Sequence, residues 1–200
     1  MTEPKGAILA GGQALRFGGK PKGLEEIGGV RMLDRLVAAM TAAFGTLPFL
    51  IANAPDASDW HPGLRVRPDR IAGAGTLGGI HAAILAAEGP VVCVAWDMPF
   101  VPAGLLRLIG SRLTGFDAVL PASPGPRGME PLCAGYGPGC TGPIEAAIAR
   151  QDLRAVGFHP DIRLDLLDPA ATRPFGDPAR LFFNVNTPED LARANQAGPA

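Results

Sequence analysis

Apolar runs of strand length, alternating with longer stretches of helical period, constrain this chain more than any other feature. Residues 7–10 precede a helical stretch at 32–44, and a second short run follows at 49–52. Residues 64–66 precede another helical stretch at 80–87, and residues 91–95 precede a third at 105–113. This is the pattern of βαβ units and a parallel sheet. Val91-Val92-Cys93-Val94-Ala95 is continuously apolar, as a strand covered on both faces requires. The chain is therefore expected to be α/β, with a single doubly wound, mostly parallel sheet, helices on both faces, and one domain over residues 1–200.

After residues 118–120 the rhythm weakens into a loop rich in proline and glycine at 121–129, a strand candidate at 132–136 and a helix near 143–149. Thr187-Pro188-Glu189-Asp190 announces a last helix: a hydroxyl at the N-cap, proline at the first helical position and acids in the first turn. The 27 glycines and 21 prolines punctuate apolar runs without forming repeats, so they read as turn chemistry. Residues 121–180 carry the weakest architectural pattern.

A formal net charge of -1 supplies no basic field for nucleic acid or an anionic membrane, which points to small-molecule partners. No apolar stretch approaches the ~20 residues of a membrane span, and the N-terminus lacks a signal-like apolar region with a cleavage site. A cytoplasmic location is expected. The three cysteines, Cys93, Cys133 and Cys140, are odd in number and unevenly spaced, which does not suit a disulfide framework. His61, His81 and His159 show no zinc-ligand spacing, and Ser58, Ser111 and Ser123 lack the setting of a hydrolase nucleophile.

The most informative local segment runs Leu9-Ala10-Gly11-Gly12-Gln13-Ala14-Leu15-Arg16-Phe17-Gly18-Gly19-Lys20-Pro21-Lys22-Gly23-Leu24. Glycines after a strand let backbone N–H groups approach an anion, and Arg16, Lys20 and Lys22 add charge for a polyphosphate. A solvated glycine-rich loop is the plainer alternative. It is not a Walker A loop, because Pro21 follows Lys20 where a serine or threonine would hold magnesium.

Asp97 stands just past the carboxyl end of the apolar run 91–95, where open α/β sheets bind ligands. A carboxylate there suits magnesium, and it equally suits a cap on the following helix. Gly73-Ala74-Gly75-Thr76-Leu77-Gly78 satisfies a dinucleotide-binding pattern, which raises an NAD-dependent oxidoreductase as a rival. Against it, residues 68–72 separate these glycines from the preceding strand, and the unit falls third in the chain. Near the end, Asn184 and Asn186 share one face of an extended segment, and they could hydrogen-bond one ligand.

Taken together, Leu-Ala-Gly-Gly with Arg16, the Gly18-Gly19 pair and Lys22-Gly23-Leu24 resemble the N-terminal signature of the molybdenum cofactor guanylyltransferases, within the wider nucleotidyltransferases. Asp97-Met98-Pro99-Phe100, Pro131-Leu132-Cys133-Ala134-Gly135-Tyr136 and Asn184-Val185-Asn186-Thr187-Pro188-Glu189-Asp190-Leu191 resemble later elements of that family. Pro21 replaces the acid often found before the lysine, Trp96 the cysteine before the aspartate, and Met98 a threonine.

The resemblance implies a Rossmann-like nucleotidyltransferase fold whose N-terminal part binds nucleotide and whose C-terminal part binds the acceptor. It also implies GMP transfer from GTP to the phosphate of a molybdopterin, with Mg2+ on Asp97 and catalysis by Lys22, Asp97 and Arg16. By the same resemblance Leu9, Ala10, Gly11, Gly12, Lys22, Asn53, Asp69 and Asp97 bind nucleotide, whereas Gly78, Asn184 and Asn186 bind the acceptor. A cytidylyltransferase, or a transferase for another phosphorylated acceptor, shares these features. Transient contacts with cofactor-biosynthesis proteins or molybdoenzymes fit the same role. Residues 157–180 match no element of the family.

Overall fold

The computed structural model describes residues 2–11, 21–125 and 128–196. Gly12, Arg16 and Lys20 lie outside the described residues. The strands are β1 (Lys5–Leu9), β2 (Glu26–Ile27), β3 (Val30–Arg31), β4 (Phe49–Ile51), β5 (Arg65–Arg67), β6 (Val91–Ala95), β7 (Ala118–Pro121), β8 (Cys133–Tyr136) and β9 (Leu164–Leu167). The helices are α1 (Met32–Phe44), α2 (Gly75–Ala87), α3 (Ala103–Arg112), α4 (Thr141–Ala149), α5 (Pro169–Thr172), α6 (Pro178–Leu181) and α7 (Pro188–Gln196).

A seven-stranded sheet runs in the order β5-β4-β1-β6-β8-β7-β9. The pairs β5/β4, β4/β1, β1/β6 and β7/β9 are parallel, and only β8 is antiparallel to its neighbours β6 and β7. The mostly parallel, doubly wound expectation therefore holds. The chain steps outward from β1 through β4 to β5, then returns to β6 on the other side of β1. That reversal opens a crevice beyond the strand ends, as in other open α/β sheets.

Side-chain alternation explains the two covered faces. Ile8, Leu50, Val92 and Val94 pack with Leu33, Leu36 and Met40 of α1 and with Leu105 and Ile109 of α3. Their neighbours Ala7, Leu9, Phe49, Ile51, Val91 and Cys93 pack with Leu77, Ile80 and Ile84 of α2 and with Ile144 and Ala147 of α4. Burying each large side chain contributes about 1.5–3 kcal/mol. The continuous apolar run at 91–95 is thus the sheet's doubly buried centre.

A hairpin, an edge strand and the short helices α5 and α6 add to the expected pattern. β2 and β3 form a hairpin whose two-residue turn, Gly28-Gly29, has φ of 59° and 77°, a backbone that glycine adopts without a Cβ penalty. β9 comes from the unmatched segment 157–180 and extends the sheet beside β7.

A third apolar cluster, Ile27, Met32, Phe100, Val185 and Ala194, holds the C-terminal segment and α7 against the hairpin. Gly28 N–H donates to Asn195 Oδ1 at 2.9 Å across the same contact. The C-terminal segment and α7 are thereby brought back to the rim of the sheet.

Candidate active site

Strand register builds the rim of the crevice. Leu9 pairs with Ile51 on one side and Ala95 on the other, and Ile51 pairs with Arg67. Gly11, Asn53, Asp69 and Asp97 each stand two residues beyond that row. Four separate strands therefore deliver four of the expected nucleotide-site residues to one level.

The cleft they border measures about 460 Å3. Leu9, Ala10 and Gly11 line it from β1, Ile51, Ala52 and Asn53 from β4, and Ala95, Trp96 and Asp97 from β6. Asp69 and the first turn of α2, with Gly75 and Thr76, complete the wall. Gly73 and Gly75 have φ of 75° and 56°, so the glycines of this turn answer a backbone requirement. Among the described residues α2 has no side-chain N-cap, which leaves its first N–H groups and the positive end of its dipole toward the cleft, where an anion would be favoured.

Lys22 Nζ donates to Asp97 Oδ2 at 2.5 Å and to Asn186 Oδ1 at 3.0 Å. The Lys22 and Asp97 side chains are only 17% and 13% exposed, a setting where charge attraction is screened less than at an open surface. The other carboxylate oxygen, Asp97 Oδ1, is buried with no hydrogen-bond partner among the described residues. Val185 N–H donates to the Asp97 carbonyl at 2.9 Å, so the C-terminal segment is fastened to the same rim. Asp97 lies in the turn before α3, whose N-cap is Pro102; it does not cap that helix.

Asn53 and Asp69 form a two-way clasp. Asn53 Nδ2 donates to Asp69 Oδ2 at 2.8 Å, and Asp69 N–H donates to Asn53 Oδ1 at 2.8 Å. Gly78 is buried in α2, where an added Cβ would stand 3.3 Å from Asp69 Oδ2 and 3.1 Å from Ala74 Cβ. Gly78 packs beneath the Asp69 loop, and its neighbour Gly79 borders the cleft.

Asn184 and Asn186 diverge. Asn186 turns to Lys22, whereas Asn184 Nδ2 donates to the Phe182 carbonyl at 3.0 Å. Asn184 borders a second cavity of about 430 Å3, which Pro124, Gly125, Met129 and Glu130 line from one side and Pro178 and Phe182 from the other. The segment carrying both residues is irregular, and it ends in a reciprocal cap: Asp190 N–H donates to Thr187 Oγ1, and the Asn186 and Thr187 amides donate to Asp190 Oδ2. Burial opposes charge on Asp190, but hydrogen bonds from Arg193, Asn186 and Thr187 outweigh it and hold the carboxyl below its ordinary range.

The thiols do not belong to this chemistry. Burial raises all three, Cys140 to about 12, and no disulfide joins them. Sequence reasoning did not single out Trp60, whose ring stacks on Trp96 with centroids 5.2 Å apart. Its only local signal was a lone aromatic in a polar loop. Among the described residues, no helix is long and apolar enough to cross a membrane.

Comparison with known proteins places the chain in a family and a fold. Residues 6–161 match the family described as the MobA-like NTP transferase domain. A probable molybdenum cofactor guanylyltransferase from Pelotomaculum thermopropionicum is 35% identical, over 97% of this chain and 93% of its own length. A molybdenum cofactor guanylyltransferase from Desulfosudis oleivorans is 30% identical, over 98% and 96%. The crystal structure of molybdopterin-guanine dinucleotide biosynthesis protein A from Archaeoglobus fulgidus superposes with a TM-score of 0.81 at 25% identity, covering 96% of this chain and 97% of that one. The family match over residues 6–161 and relatives 30–35% identical over nearly the whole chain make this protein a nucleotidyltransferase, a member of the MobA-like NTP transferase domain family.

Proposed function

We propose that this enzyme transfers GMP from GTP to the terminal phosphate of a molybdopterin-type acceptor, releasing pyrophosphate. The observation that carries the reading is the Lys22–Asp97 pair at the rim of the cleft that Asp97 lines, one cation and one carboxylate with an oxygen unpartnered among the described residues, beside a glycine-led strand end. The relatives' names supply the base and the acceptor.

An acceptor phosphate oxygen attacks the α-phosphorus in line. A new P–O bond forms, the bond from the α-phosphorus to the α,β-bridging oxygen breaks, and pyrophosphate leaves with that electron pair. The protein needs no nucleophile of its own, so positioning and charge neutralisation carry the catalysis. Lys22 neutralises charge on the triphosphate, with Arg16 from the first loop assigned the same task. The amides of Gly11 and Gly12 and the open N-terminus of α2 receive phosphate oxygens. Leu9 and Ala10 shape the wall beside them, the Asn53–Asp69 clasp holds the nucleoside, and Asn186, held at Lys22, faces the acceptor, while Asn184 borders the neighbouring cavity.

The residues fit a magnesium ion. Asp97 Oδ1 is a buried oxygen without a partner among the described residues, and magnesium is commonly held by one or two carboxylates plus substrate phosphates. When bound, Mg2+ supplies Lewis-acid polarisation of the phosphoryl oxygens. Asp97 would hold it, and Lys22 would then be free to serve the phosphates.

The direct test is magnesium-dependent pyrophosphate release from GTP, CTP, ATP and UTP, each with and without molybdopterin. Release from GTP only when the pterin is present is expected. Preference for CTP would retain the chemistry and change the product, whereas tight GTP binding without release would mean another acceptor.

A further inference from the structure

Gly23 is a glycine for want of space. Its φ lies outside the left-handed region, yet a Cβ added to it would stand 2.8 Å from Trp96 Cδ2, closer than carbon atoms pack. The peptide carrying Lys22 and Gly23 therefore lies against the indole of the residue that immediately precedes Asp97. Trp96 is 3% exposed and cannot yield easily, because Trp60 stacks on it with an interplanar angle of 26°.

Trp60 is itself anchored. Its indole N–H donates to Asp56 Oδ2 at 3.0 Å, and its carbonyl accepts from Arg31 Nη1 at 3.0 Å. Arg31 grips Asp34 in the first turn of α1 through two 2.8 Å hydrogen bonds. A continuous line of fixed groups thus runs from α1 through Arg31, Trp60 and Trp96 to Gly23. At its end, the cation of Lys22 and the carboxylate of Asp97 are the immediate chain neighbours of the two residues in contact.

We infer that Trp96, backed by Trp60, is a positioning residue: its flat wall sets how closely the Lys22 turn can approach, and hence the separation between the Lys22 ammonium and Asp97. The catalytic consequence rests on the proposed role of that pair; the geometric claim does not. Misplacement of about 1 Å in such a constellation can cost on the order of 10²-fold in rate.

The test uses the full chain in four forms: wild type, Gly23→Ala, Trp96→Leu and the double variant. Trp96→Phe serves as the conservative control. Acetylation of Lys22 by an amine-reactive ester, relative to Lys5 in the same sample, reads the Lys22–Asp97 contact without reference to activity. Lys22 is expected to react several-fold faster in Gly23→Ala and in Trp96→Leu, and near the wild-type rate in Trp96→Phe.

For turnover, Gly23→Ala is expected to lower kcat by about 10–10²-fold, and the double variant to exceed Gly23→Ala, because leucine clears room for the added methyl. Unchanged Lys22 acetylation in both single variants, or a Gly23→Ala defect no smaller in the Trp96→Leu background, overturns the inference. If Gly23→Ala does not fold, acetylation in Trp96→Leu against Trp96→Phe decides alone. Faster acetylation in an enzyme that transfers nothing from any nucleotide would sustain the positioning role and reject the proposed function.

Discussion

Lys22 and Asp97 are 75 residues apart in the chain, and Lys22 Nζ lies 2.5 Å from Asp97 Oδ2. The same ammonium reaches Asn186 Oδ1, 164 residues away. One cation thus ties the first loop, the central strand and the C-terminal segment into one group.

Replacing either member of the pair should remove charge stabilisation while leaving the sheet intact. Asp97→Asn and Lys22→Met are each expected to lower kcat by about 10²–10³-fold, by analogy with loss of one preorganised donor. Titrating Mg2+ separates them: the apparent magnesium requirement should rise for Asp97→Asn and stay near wild type for Lys22→Met. Wild-type turnover by Asp97→Asn would sink the metal assignment.

The Asn53–Asp69 clasp should behave as one unit. Asn53→Ala is expected to raise KM for the nucleotide about tenfold, equivalent to about 1.4 kcal/mol. Adding Asp69→Ala should cost less than its effect alone, since contacting residues are not additive. A double-mutant cycle on kcat/KM measures this, and strict additivity would mean the two side chains act separately.

Thr187 caps α7 with its hydroxyl. Thr187→Ala should destabilise the protein by about 1 kcal/mol, read by denaturant unfolding. Amide exchange in the first turn of α7 should accelerate more than in β6, whose strand is buried at the centre of the sheet.

His159 supplies a pH dependence. Burial lowers its pKa from 6.5 to about 4, so the folded state prefers the neutral ring and the unfolded state binds more protons between these values. Its contribution is fully present above pH 6.5 and is lost as pH falls toward 4. After discounting for solvent screening, the effect is on the order of 1 kcal/mol. The stability of His159→Leu relative to wild type should therefore increase as pH falls from 6.5 to 4. Parallel pH profiles from thermal unfolding would contradict this.

Some of this architecture was legible residue by residue. The strand expected at 91–95 is β6, the helix expected at 32–44 is α1, and the hydroxyl expected to cap the last helix does so at Thr187. In each case the signal is local: a continuous apolar run, a helical period, or a cap spanning three residues. β9 had no such signal. Leu164-Asp165-Leu166-Leu167 alternates poorly, and Asp165 is satisfied by Arg112 from α3, a partner no nearby residue announces.

The site divides in the same way. Local sequence by itself determined that a glycine-led loop follows the first strand and that an acid follows the central one, because strand ends and turn chemistry are written in adjacent residues. Only the tertiary structure decided that Gly11, Asn53, Asp69 and Asp97 share one level, that Asn186 turns to Lys22 while Asn184 turns away, and that Trp60 backs Trp96. Those relations depend on strand register and on packing between distant segments. The free energy that selects them comes from contacts that form only when the whole sheet is assembled.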